Sequence, residues 1–354
     1  MIGSRLRIAR TAAGLSLRDL ESKIDNLVSA QAIGKYERDE MMPGSKVLMS
    51  LANALDVSES YLAGQSDIVL EGIEFRKSSI TSRRDEAQLE SKVLNFLEKY
   101  LEIESMLQVP SLTWDQPRQS SFVVNEIVEG ELAAKSLREH WNLGVDPVFG
   151  LAEFLEEKGI KVLSLKLPSS VSGMTCMVRR PNASCVPVVV INKHDKGERQ
   201  RFTLAHEVAH MFMTVSQNLD EKAEEKAAHR FAGAFLMPAE LLRAEVGVHR
   251  QSLSLGELVE LKKMFGVSIQ AITYRCKDLG IVSQATFGSL FKLFSERGWR
   301  TPPYAEPMPL PPEEPQRFKR LCFRALAEDA ISGAKAAELL GITVQQLSQK
   351  MERP

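Results

Sequence analysis

His206-Glu207-Val208-Ala209-His210 constrains this 354-residue chain more than any other stretch. Two imidazoles four residues apart reach one ion only if they lie one turn apart on a common face, so the segment must be helical. Ring nitrogens placed this way meet a zinc ion at about 2.0–2.1 Å. Glu207, one step along, points from the side toward a water at that ion and suits a general base. Phe202, Leu204, Val208 and Met211 lay an apolar stripe along the same helix, so it has to be packed against other elements. So short a pattern also arises by chance as two surface histidines, and its surroundings must decide.

Those surroundings supply a third ligand. Glu221, Glu224 and Glu225 lie downstream, the last two on a second helical pattern, Lys222–Leu236, which Pro238 ends. Small residues near Glu225, beginning with Ala228, let the two helices approach closely. Two histidines and one glutamate leave a fourth position open, which is the catalytic arrangement; structural zinc sites are closed. In such a site zinc activates water, and Glu207 takes the proton as a peptide carbonyl is attacked.

The rest of the chain divides by pattern into an α+β protein. Residues 1–66 read as an all-α bundle of five short helices: Gly3–Ala13, Leu17–Lys23, Ala30–Glu37, Ser45–Leu55 and Ser58–Leu62. Ser16, Ser29, Ser45 and Ser58 stand before helical patterns, as N-caps do. Residues 67–115 read as a helical linker. Leu89, Val93, Phe96, Tyr100, Ile103 and Leu107 repeat at heptad spacing. That seam suits either a helix docked on its own catalytic domain or a dimer contact. Residues 116–300 carry helices at Asn125–His140 and Val148–Lys158, strands at Ile160–Leu165, Ser172–Val178 and Val186–Ile191, and then the motif helix. The strand before that helix is expected to pair with an extended substrate by strand addition. Seven prolines between 302 and 315 make residues 301–315 a stiff linker, and residues 316–354 are helical again.

Leu17–Glu21 followed by Ala30–Glu37 has the spacing of a helix-turn-helix, with Leu20, Ile24 and Ile33 as core contacts. Asp25–Val28 makes the intervening turn slightly long and leaves the start of the recognition helix uncertain by about one residue. Ser29 and Ala30 let the backbone approach DNA, and Gln31 suits bidentate reading of adenine. Arg10, Arg18, Lys35 and Arg38 serve as phosphate contacts. Residues 1–38 hold seven Lys/Arg against four Asp/Glu, so the module is locally basic although the whole chain has a net charge of −1. A second helix-turn-helix-like unit, Ile331–Leu347, lacks a basic recognition helix beyond Lys350 and Arg353, which favours protein contact there.

Two family resemblances rest on these residues. Tyr36-Glu37-Arg38, Pro43, Leu51-Ala52, Leu55-Asp56-Val57 and Tyr61-Leu62 are similar to the Xre/Cro-like repressors. Arg199–His210, Glu225…Ala228-His229-Arg230-Phe231-Ala232 and Phe235-Leu236-Met237-Pro238 resemble the ImmA/IrrE metallopeptidases, as do Asn192, Gly173 and Gly298-Trp299-Arg300. The second resemblance implies a zincin-like central domain. In it His206, His210 and Glu225 are zinc ligands and Glu207 the base, and the protein substrate is a transcriptional repressor. His229 reads as a surface or supporting histidine.

Together these readings describe a DNA-binding regulator with a zinc endopeptidase that cuts a repressor, an antitoxin-like regulator or itself. The alternatives are a sensor or an antitoxin-like protein that uses the zinc fold for binding without turnover. A pure scaffold has no chemical need for Glu207. Partners are expected to be a DNA operator and a protein substrate, and the twofold symmetry of operators favours a homodimer. Four scattered cysteines without a CxxC pair exclude a disulfide scaffold and fit a reducing compartment. The N-terminus lacks an apolar signal core, and no apolar run approaches about 18 residues, so a cytoplasmic protein with no membrane span is expected.

Overall fold

Serine caps set the frame of the N-terminal bundle. Its helices are α1 (Gly3–Ala12), α2 (Leu17–Lys23), α3 (Ala30–Glu37), α4 (Ser45–Leu55) and α5 (Glu59–Ala63). Ser16 Oγ accepts from the Asp19 amide at 3.1 Å, and the Asp19 carboxylate accepts from the Ser16 amide at 2.8 Å. This reciprocal capping box satisfies two donors that a helix start leaves orphaned. Ser29 Oγ caps α3 in the same way, accepting from Ala32 at 3.3 Å. Asp25 and Asn26 both take left-handed φ, near 55°, and this absorbs the long turn without moving the start of α3 from Ala30. Ser45, expected as a cap, is instead the first residue of α4, with Gly44 at the cap. Leu6, Leu20, Ile33, Leu51 and Leu62 are fully buried in a core of the bundle's own.

The computed structural model describes residues 2–57, 59–63, 68–77, 83–117, 122–179, 185–216 and 219–352. Ser58 and Arg353, to which the sequence assigned a cap and a charge, lie outside the described residues. After the bundle come β1 (Val69–Lys77), α6 (Arg83–Met106), β2 (Phe122–Val124), α7 (Gly130–His140), α8 (Leu151–Glu157), β3 (Lys161–Leu165), β4 (Val171–Arg179) and β5 (Val186–Asn192). The motif helix α9 (Gly197–Phe212) follows, then β6 (Met213–Val215), α10 (Glu221–Leu236), α11 (Ala239–Val246), α12 (Leu255–Phe265), α13 (Ile269–Asp278) and α14 (Gln284–Glu296). The chain closes with α15 (Arg317–Ala327), α16 (Gly333–Leu340) and α17 (Val344–Glu352).

The main sheet has the order β1-β4-β5-β3, with β5 parallel to β3 and antiparallel to β4. β5 is buried along its whole length because both faces are covered. Val189 and Ile191 join the core shared with α9 and α10, while Val188 and Val190 join the core under α6. The sheet is thus the middle layer between two sets of helices. A two-stranded parallel pair, β2 with β6, fixes the chain where α9 ends.

Three expectations change here, and for the seam of α6 the docked-helix reading holds. β5 is an interior strand, so both of its edges are already paired and it cannot accept a substrate strand. The stretch 67–115 is not a purely helical linker, because it opens with β1, the edge strand paired to β4. The heptad seam of α6 does not supply a dimer contact: Leu89, Val93, Tyr100, Ile103 and Leu107 are buried against the sheet and the C-terminal helices of the same chain. The proline-rich stretch 301–315 is not a detached linker. It lies as a strap over the start of α9 and buries Glu306 and Glu313. Glu313 accepts from Arg201 at 2.7 Å and from the Ala152 amide at 2.9 Å. Glu306 accepts from the Ile269 amide at 2.9 Å, at the N-terminus of α13. The C-terminal helices pack within the chain: Phe318 stacks at a tilt on Phe96 and Tyr100, and Ile331, Ala336, Leu339 and Leu347 share the core of α6.

Candidate metal centre and DNA-reading face

Close helix packing brings the candidate metal ligands together. α9 and α10 pack on each other, and Ala205, Ala209, Ala228 and Ala232 are fully buried in the core they share. Phe231 and Phe235, stacked with ring centroids 5.9 Å apart, anchor α10 in the same core. Each such burial contributes about 1.5–3 kcal/mol. Asp220 caps α10 by accepting from the Ala223 amide at 2.7 Å, which sets the first turn and with it Glu224 and Glu225.

The spacing test favours Glu225 over its neighbours. His206 Nε2 and His210 Nε2 are 3.0 Å apart. Glu225 Oε2 lies 3.4 Å from His206 Nε2, and Glu225 Oε1 lies 3.4 Å from His210 Nε2. Ligands held tetrahedrally about 2.0–2.1 Å from one ion are separated by about 3.4 Å, so the donor set fits a zinc ion. Glu224 comes within 3.7 Å of His210 Nδ1, on the ring's other side, and is not part of that triangle. Among the described residues, His206, His210 and Glu225 form the group of ligating side chains close enough to hold a metal. His206 is fully buried and the Glu225 side chain is 42% exposed, so the centre opens to solvent along α10. Hydrogen bonds from His206, then His210, hold the Glu225 carboxyl well below the usual carboxylate range.

Glu207 points from α9 to the sheet. A Cβ on Gly173 of β4 would sit 3.1 Å from Glu207 Oε1 and 2.6 Å from Thr203 Cγ2. Glycine at 173 therefore lets β4 cross directly over the glutamate. Asn192 sets that crossing: its Nδ2 donates to the carbonyls of Leu167, Pro168 and Val171, and its own carbonyl accepts from Gln200 Nε2 of α9 at 2.9 Å. The sequence marked Asn192 and Gly173 by resemblance without saying what they do. A glycine inside a strand pattern signals close backbone approach, and this one was readable as such. His229 donates through Nδ1 to the Glu225 carbonyl at 2.7 Å, and its ring stands edge-on to His206 at 4.6 Å. It supports the ligand helix and lies outside the donor triangle.

On the bundle, Arg18, Ser29, Gln31, Lys35 and Arg38 are exposed and Ala30 is half-buried. Arg38 is engaged by Glu40, with Nε 2.7 Å and Nη2 3.0 Å from its carboxylate oxygens. Arg10 departs from its expected role. It is largely buried and grips Glu37 through Nε at 2.5 Å and Nη2 at 2.9 Å, which ties α1 to the end of α3.

Two stretches of the chain match known protein families. Residues 155–277 match the family described as the IrrE N-terminal-like domain, in peptidase family M78. Residues 6–62 match the helix-turn-helix family. The chain therefore joins an Xre-like helix-turn-helix domain to an IrrE-type, metallopeptidase-like domain. It is 28% identical over 94 residues to the HTH-type transcriptional regulator ImmR of Bacillus subtilis (strain 168). That stretch is 27% of this chain and 62% of the relative, so the chain spans less than two thirds of that relative's length. Among the described residues, no helix is long and apolar enough to cross a membrane.

Proposed function

We propose that this chain is a cytoplasmic transcriptional regulator with a working zinc endopeptidase, and that its substrate is a regulator protein: a repressor, an antitoxin-like partner or its own chain. The observation that carries the reading is the donor triangle of His206, His210 and Glu225 with Glu207 beside it under Gly173. His206, His210 and Glu225 would hold the metal. Bound zinc supplies Lewis acidity and brings the pKa of a water toward about 7. Glu207 takes the proton of the attacking water and returns it to the departing amine. Burial of Glu207 keeps that carboxylate fixed in direction, and Asn192 holds the β4 crossing above it. The helix-turn-helix presents Gln31 to base edges and Arg18 and Lys35 to phosphates. We read the DNA-bound form as a dimer on the symmetry of operators, with its contact elsewhere than the buried α6 seam.

Terminal proteomics of cells expressing the wild-type chain or Glu207→Gln tests this reading. New protein N-termini that depend on Glu207 and map to a DNA-binding regulator are expected. Identical termini in the two strains, under conditions where operator binding by the chain responds to a signal, favour the fold as a binding device without turnover.

A further inference from the structure

We infer that the outer edge of β4 is the docking edge for an extended polypeptide, and that the chain's own residues 69–77 occupy it as an internal competitor. The inference rests on the peptidase reading for what is docked, and on topology for where. α9 packs under β4 and β5, and Gly173 of β4 lies so close over Glu207 that an added Cβ would come within 3.1 Å of its Oε1. The sheet edge nearest the glutamate is therefore that of β4. An unpaired strand edge binds extended peptides by adding one more strand. Here β1 already fills that place, antiparallel, with Arg76 opposite Gly173 and Phe75 opposite Met174. The Arg76 backbone thus lies one strand spacing, about 4.8 Å, from the residue that roofs the glutamate.

The β1 ladder is also irregular. Its register shifts twice in nine residues, between Glu71 and Glu74 and between Arg76 and Lys77. Gly72 takes a left-handed φ of 59° at the first shift. Each shift leaves backbone groups out of the ladder. β5, by contrast, pairs with β4 over six consecutive residues without a break. β1 also follows directly on the DNA module. From Ala63 to Val69 is six residues, a reach of at most about 21 Å. The module rests on α6 through Arg5 and Glu98, 3.5 Å apart. Lifting the module off α6 by more than that reach draws β1 out of the sheet, so its position and access to the β4 edge are mechanically linked.

The test uses the full chain in a Glu207→Gln background and a fluorescein-labelled peptide copying residues 69–77, read by anisotropy. Glu74→Pro and Phe75→Pro are made singly. Consecutive strand amides point to opposite edges, so one of the two deletes a bond to β4. Circular dichroism and retained zinc binding establish that each variant is folded. At least tenfold tighter peptide binding by one proline variant than by the β1-intact chain is expected. A second variant, Glu71→Cys with Met177→Cys, joins directly opposed residues. Oxidised, it should exclude the peptide, and reductant should restore the β1-intact level. Equal binding by all forms, or no gain in binding by either folded proline variant, overturns the inference. Casein digestion with Glu207 restored separates the two readings. Peptide binding that follows β1 with no digestion by any form keeps the docking edge and removes the peptidase. Digestion at equal rates by all forms keeps the peptidase and removes the competitor.

Discussion

Lys262, beside the Arg201–Glu313 pair, holds the strap to α9, and Lys262→Met should loosen it. Its ammonium lies 2.8 Å from Glu198 Oε1 and 3.2 Å from Glu306 Oε2, and none of the three side chains is more than 5% exposed. Removing one partner of a buried ion pair costs about 3–5 kcal/mol, because the remaining charge stays buried. Glu306 keeps the amide of Ile269 and the side-chain amide of Gln270 at 3.1 Å. Glu198 keeps one amide donor, Leu310 at 3.2 Å. Most of the loss therefore falls on Glu198, and the lower figure applies. At about 1.4 kcal/mol per tenfold, 3 kcal/mol raises the open population of the strap by about 150-fold. Amide hydrogen exchange at Leu310 and at Glu313, which donates to Gln200 Oε1 at 2.8 Å, reads that opening directly. Exchange should accelerate by about two orders of magnitude in Lys262→Met. It should return most of the way in Lys262→Met with Glu198→Gln, where no unpaired charge is left on α9 and an oxygen still accepts from Leu310. Unchanged exchange in the single variant, or a double variant worse than the single, would refute the electrostatic account of the strap.

Other outcomes follow from the same geometry. Gly173→Ala pushes a methyl group into Thr203 and Glu207, and should cost about 1–3 kcal/mol of thermal stability while zinc binding persists; calorimetry with and without zinc checks both halves. Lys35→Ala should lower the salt slope of operator binding by about one, while Gln31→Ala should relax preference at one base pair by about 1–3 kcal/mol, measured by titration across salt and across operator variants. Burial pushes the Glu131 carboxyl up, but hydrogen bonds and charge from Arg275 and then Arg230 outweigh it and hold the carboxyl below the usual range. Its stabilisation is therefore complete above the ordinary glutamate pKa and is lost as pH falls through the depressed folded value. Acid unfolding should start earlier and more shallowly in Glu131→Gln.

Local chemistry was legible in the sequence, and pairing at a distance was not. Ser16, Ser29 and the turn at Asp25-Asn26 act within a few residues of themselves, so α2 and α3 fall where their caps place them. The His206 to His210 spacing is likewise a one-turn property, and the alanines on α10 mark which glutamate can approach it. β1 escaped notice because Val69–Lys77 mixes apolar and charged residues around Gly72 without alternating, and its partner lies about a hundred residues away. The strap escaped because seven prolines describe stiffness and say nothing of where a stiff segment rests. Its two buried glutamates find Arg201 and Lys262, partners that lie far from them in sequence. The seam of α6 showed correctly that one face must be buried, but periodicity does not distinguish a partner chain from the sheet of the same chain.

Zinc stoichiometry tests the central claim most directly. The chain is purified without chelator or metal-affinity resin, beside His206→Ala with His210→Ala, and metal is measured per chain. The account predicts about one zinc per wild-type chain and none in the double variant. A wild-type chain that stays free of metal after zinc is added, or a double variant that keeps it, contradicts the account and leaves a helix-turn-helix protein without a metal centre at these residues.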